Sequence, residues 1–87
     1  MNTIYKFELD ASLKTLNLPQ GAELLSIQMQ HGMPQLWAKV DPARPTEEIK
    51  IQAIGTGHNC NGGEFIDTVQ KNDGTLVFHF FRVSEFT

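Results

Sequence analysis

The sequence predicts an all-β fold, a small single-domain antiparallel β-sandwich or barrel of six to seven strands over residues 1–87. Three observations carry this expectation. Apolar and polar residues alternate with a period of two along most of the chain. Clusters of Gly, Pro, Asn and Asp recur between the alternating stretches, where turns need them. No stretch of about ten or more residues keeps a helical period.

In 5–9, Tyr5, Phe7 and Leu9 alternate with Lys6 and Glu8, so these three are expected to face inward. Asp10-Ala11-Ser12 reads as a turn, and Thr15-Leu16-Asn17-Leu18 as a short second strand closed by Pro19-Gln20-Gly21. Residues 24–30 form a third, with Leu25, Ile27 and Met29 inward and Ser26, Gln28 and Gln30 on the other side. His31-Gly32-Met33-Pro34 connects it to a fourth at 35–41, where Leu36, Ala38 and Val40 are the apolar set and Trp37 falls with Gln35 and Lys39. Two prolines make 41–46 a surface loop, because proline cannot donate to a sheet ladder.

Strand character resumes at Glu48, with Ile49, Ile51 and Ala53 inward, and runs into the irregular segment 55–63. Residues 65–70 offer another strand, although 64–69 is also compatible with a short turn of helix. Asn72-Asp73-Gly74 is a tight-turn signal before the last strand, 75–83. That strand is apolar on both faces, with Val77, Phe81 and Val83 on one and Leu76, Phe78 and Phe80 on the other. Such a strand is central in its sheet or covered by a partner subunit.

Composition narrows the function classes. The 87 residues suffice for one modest core, and 40% hydrophobic content sets the chain apart from disordered tails. Seven Lys plus Arg against ten Asp plus Glu leave a net charge of −3, the wrong sign for general DNA or RNA binding. A small anion remains compatible with an acidic protein, since a few local donors can hold phosphate. The apolar runs are far short of the ~20 residues that span a bilayer. The first residues carry no signal-peptide pattern, so the cytosol is expected. Cys60 is the only cysteine, which excludes an internal disulfide and any thiolate zinc cluster within one chain.

Two features could bind a ligand. Gly55-Thr56-Gly57-His58-Asn59 follows a strand and joins unhindered backbone to a hydroxyl, an imidazole and an amide, a combination suited to phosphate. It has neither the Rossmann nor the Walker spacing, and glycines after a strand also make a plain bend or bulge. Trp37, turned away from the apolar set, suits base stacking, a subunit interface or packing under a loop, with Lys39 on the same face as a cation for an anionic planar ligand. His58-x-Cys60 lacks the second ligand pair of a structural zinc site, so no metal or other cofactor is expected. His79 reads as a satisfied, partly buried histidine. Ser26, Ser84, His58 and the acidic residues show no spacing that assembles a catalytic group, and Glu47-Glu48 reads as solvated surface.

Five motifs carry a resemblance. They are Met-Asn-Thr-Ile-Tyr-Lys-Phe at 1–7, Leu-Pro-x-Gly-Ala at 18–22, Leu-Trp-Ala-x-Val-Asp-Pro at 36–42, Ile-Gly-Thr-Gly-His at 54–58 and Thr-Val-Gln at 68–70. In this order they resemble a family of short phage and prophage proteins of unknown function. The chain departs from the family pattern only at a turn, with Asp-Gly-Thr-Leu-Val at 73–77 where relatives read Gly-Gly-Ala-Leu-Val. The resemblance implies viral origin and the host bacterial cytosol. The family is in turn similar to phage anti-defence sponges that sequester the cyclic nucleotide signals of CBASS immunity between subunits of an oligomer.

Residues and resemblance together lead to an expected non-enzymatic binding protein for a cyclic oligonucleotide or related nucleotide. Gly55 to Asn59 would meet phosphate, Trp37 would stack on a base and Lys39 would neutralise charge, in a homodimer or homotetramer. The alternative is a protein–protein inhibitor of a host effector, docking through Trp37 and a sheet edge. A phosphodiesterase is the third possibility.

Overall fold

The computed structural model describes residues 1–60 and 62–83. Seven antiparallel strands follow one another: β1 (Thr3–Glu8), β2 (Leu13–Pro19), β3 (Glu23–Gln30), β4 (Met33–Val40), β5 (Thr46–Gly55), β6 (Glu64–Lys71) and β7 (Leu76–Val83). They form a three-stranded sheet in the order β1-β4-β3 and a four-stranded sheet in the order β2-β5-β7-β6. The fold is an all-β sandwich, with no helix among the described residues. The segment 64–69, open to a helical reading in sequence, lies within β6.

Alternation explains the core. Leu36 of β4 clusters with Leu16 and Leu18 of β2, Ile49 and Ile51 of β5, Val69 of β6 and Phe80 of β7 between the sheets, and Ala38 and Val40 of β4 are buried as well. β7 is a central strand, which accounts for its two apolar faces: Phe80 is buried inward while Phe81 points outward. Turn chemistry agrees with the ladder. His31 and Gly32 both take positive φ between the paired residues Gln30 and Met33, as a two-residue hairpin turn requires. Asp41 organises the proline loop by accepting the Ala43 N–H on its carboxylate at 3.1 Å. Pro19 sits in an edge strand, where the N–H it lacks is not needed for a second neighbour.

Three expectations need correction. Leu25 was expected inside with Ile27 and Met29, but a bulge between Leu24 and Ser26 inserts one residue against β4. The parity flips there, so Leu24 packs on the core and Leu25 is 45% exposed. Tyr5 shares the inward face with Phe7, edge to face at 6.1 Å between ring centroids, yet it is 38% exposed. β1 is an edge strand, and the opposite sheet does not cover its outer end. The second strand begins at Leu13 and ends at Pro19, longer at both ends than the alternation suggests.

A second bulge, between Phe65 and Asp67 of β6, has a structural use. It turns the Asp67 carboxylate toward the other sheet, where Oδ2 accepts the N–H of Ile27 on the edge of β3 at 2.9 Å. Oδ1 accepts the Thr68 N–H at 2.9 Å. One side chain thereby joins the two sheets and caps an exposed edge.

Candidate functional site

The expected ligand residues lie on two opposite surfaces. Trp37 is opposite Lys6 and Ser26, and Lys39 is opposite Ile4 and Glu23, all on the outer face of the three-stranded sheet. Trp37 is half-buried there. Lys39 is committed to Glu23 at 3.3 Å. Lys6 reaches diagonally across β4 to the Gln30 amide oxygen at 2.7 Å. That diagonal passes over Gln35, an outward-facing residue that is nevertheless buried. The polar side chains of this face pair with one another at the surface, and Ile4 beside Lys39 is 51% exposed.

Gly55 to Asn59 lie at the far end of β5, where Thr56 turns to the outer face of the four-stranded sheet and Gly55, in register with Phe78, keeps the inward parity of Ala53. Thr56 continues the ladder by donating its N–H to the Val77 carbonyl at 3.3 Å. The chain then turns back, with the His58 N–H donating to the Gly55 carbonyl at 3.1 Å and Gly57 at positive φ. The His58 ring lies against Gly55, so close that a Cβ there would meet it at 3.0 Å. Gly55 is thus needed for contact and Gly57 for backbone conformation. Asn59 and Cys60 are exposed beyond the turn. Asn61 of this segment and Ser84, weighed as a nucleophile, lie outside the described residues.

The inner core separates Trp37 and Lys39 from Gly55–Asn59, so one chain cannot close both around one small ligand. What the structure gathers beside the glycine turn is a set that spacing alone did not reveal. His79 of β7 stands opposite Thr68 of β6 and Ile54 of β5 on the outer face. Its Nε2 bonds the Thr56 hydroxyl at 2.8 Å and its Nδ1 bonds the Thr68 hydroxyl at 3.0 Å. Both hydroxyls can donate or accept, so the ring is satisfied in either neutral tautomer.

Two residues along β7 on the same face, Phe81 meets Phe65 edge to face at 5.7 Å between centroids. Phe65 is 57% exposed. The aromatic pair and the Thr56 turn flank His79, separated by about 13 Å along the strand at roughly 3.3 Å per residue. Phe65 and Arg82 also line a cleft of about 370 Å³ beside Glu64, between the starts of β3 and β6. The signal for this set was present in the apolar outer face of the last strand, but the partners come from 56, 65 and 68, which only strand pairing brings together. Among the described residues, no three His, Cys, Asp or Glu side chains converge on a point that could hold a metal ion. No helix among them is long and apolar enough to cross a membrane.

The molecule is therefore a small two-sheet antiparallel sandwich whose four-stranded sheet carries an open aromatic and imidazole face. The chain belongs to the DUF7352 family, a domain of unknown function, whose family model matches residues 1–87. No curated protein and no solved structure matches it.

Proposed function

We propose that this chain is a phage-encoded, non-enzymatic binding protein that takes up a cyclic oligonucleotide or related nucleotide immune signal in the host cytosol. The observation that carries the reading is the single outer face on which the Thr56–His79–Thr68 hydrogen-bonded group lies beside the Phe65–Phe81 pair. Stacking a base on an aromatic ring contributes about 1–3 kcal/mol. Here Phe65 and Phe81 take the stacking role that sequence reading gave to Trp37. Main-chain N–H groups of the glycine turn, and the one threonine hydroxyl proton that a neutral His79 ring leaves over, are the donors for phosphate. Lys39, held by Glu23, takes no part. A homodimer or homotetramer would cover the remaining apolar surface of this face, Leu13, Val77 and Val83.

Native mass spectrometry with cyclic dinucleotides, cyclic trinucleotides and cyclic ADP-ribose species tests this. The expected result is a discrete ligand increment, with ligand recovered unchanged, that is lost in Phe81→Ala and kept in Trp37→Ala. An absence of any increment across the panel would overturn the reading. A linear product in place of intact ligand would replace it with a phosphodiesterase. The same open face, with Leu13 52% exposed and Phe65 more so, also favours a protein–protein inhibitor as the second reading.

A further inference from the structure

The two sheets part at one end of the sandwich and leave a cleft of about 320 Å³, within the range of roughly 300–1,000 Å³ usual for small-ligand sites. It is separate from the outer-face group described above. Its walls are Leu9, Met29, Met33, Ala53, Phe78 and Phe80, so it is a continuation of the core that the protein's own side chains do not fill. The space traces to Ala53. Along β5 the inward positions run Ile49, Ile51, Ala53, and the third supplies only a methyl group opposite Phe80. Met29 on the inner face of the other sheet and Met33 at its hairpin rim line the far side, and unbranched thioether chains adapt readily to different apolar guests.

The charges at this end are unevenly committed. Strand alternation puts two lysines on the inward faces of the edge strands: Lys14, two residues before Leu16 in β2, and Lys71, two residues after Val69 in β6. Lys14 is neutralised by Asp10, which also lines the cleft, at 2.7 Å. That pair holds the Asp10 carboxyl below its ordinary value, first by the hydrogen bond and then by the lysine's charge. Lys71 lines the cleft as well, exposed at its rim, and its side chain has no hydrogen-bond or ion-pair partner among the described residues. An exposed lysine without a partner at the rim of an unfilled apolar space suits an anionic head on an apolar body.

We propose that the cleft binds a medium-chain aliphatic carboxylate, its chain between Ala53, Phe78 and the two methionines and its carboxylate at Lys71. Isothermal titration calorimetry with sodium decanoate, decanol and decyltrimethylammonium on the whole protein tests this. Decanoate is expected to bind with decanol weaker and the cationic surfactant weakest. Lys71→Gln should weaken decanoate by about fivefold, the upper range for an exposed ion pair, and leave decanol unchanged. Ala53→Leu, which fills the space from its floor, should abolish decanoate binding while circular dichroism reports the wild-type fold. If that variant fails to fold, Met29→Phe fills the cleft from the opposite wall and is expected to abolish binding likewise. Decanoate affinity unaltered by a folded cleft-filling variant, or decanol binding as tightly as decanoate, would overturn the proposal.

Discussion

The two outer faces of the sandwich are built from the same alternation and end in opposite states. On the three-stranded sheet, Lys6 is bonded to Gln30 and Lys39 to Glu23, the large aromatic Trp37 sits half-buried among them, and Ile4 stands open on the edge strand. On the four-stranded sheet, Phe65 and Leu13 stand open beside half-buried Val77, Phe81 and Val83, with a fully bonded His79 in their midst. The contrast lies in how far the polar groups of each face are engaged within the chain. What matters is whether those groups have already found partners, because a committed lysine must first lose one partner to take another. The uncommitted surface is the apolar one, and large open apolar surface is where partners and ligands bind.

The sharpest test of this contrast is on β7, which belongs to both the core and the open face. Phe80→Ala removes an inward ring and should cost about 3–5 kcal/mol in urea unfolding, as large-to-small core changes do. Phe81→Ala, one residue on, should cost only about 1 kcal/mol, on the scale of one edge-to-face ring pair. Equal losses at the two positions would mean that the outer face is part of the fold's support and not a free surface.

The contrast also requires the sheets to hold their relative position, for which Asp67 is the visible fastener. Asp67→Ala leaves the Ile27 N–H without its acceptor at the sheet edge and should destabilise by about 1–3 kcal/mol. Hydrogen exchange should then accelerate first at Ile27; unchanged exchange at that amide would show that the carboxylate bond does not hold the edge.

The smallest expected effect concerns the committed lysine at the cleft. Asp10 should titrate below an ordinary aspartate by NMR and return toward the ordinary value in Lys14→Met. A carboxyl whose pKa is lowered on folding stabilises the fold at pH above its unfolded value, and that contribution is lost as pH falls through the folded value. An Asp10 titration unaffected by Lys14→Met would break the distinction drawn between Lys14 and Lys71.

Much of this was legible in the sequence. The strict alternation at 35–41 places Leu36, Ala38 and Val40 in the core and Trp37 outside it, as observed. The doubly apolar run at 75–83 marks a central strand, and β7 is one. Leu25 was misplaced because a bulge is invisible to a period of two: Leu25 to Gln30 reads as unbroken alternation, and only pairing with β4 shows the extra residue. The candidate site was half legible for a similar reason. The glycine turn at 55–59 announces itself by composition, whereas Thr56, Thr68 and His79 carry no local signal and meet through the β5–β7 and β6–β7 ladders.

The sequence by itself determined that this chain is all-β, which face most of its strands bury outside the β3 bulge and the open end of β1, and where the turns fall, because side-chain direction and turn chemistry are local properties of a few neighbouring residues. Tertiary structure alone decided that Trp37 and the glycine turn lie on opposite faces, that His79 sits between two threonines, and that a cleft remains open at Ala53. Each of these depends on which strands become neighbours and in what register, and that choice is made by the whole core packing at once.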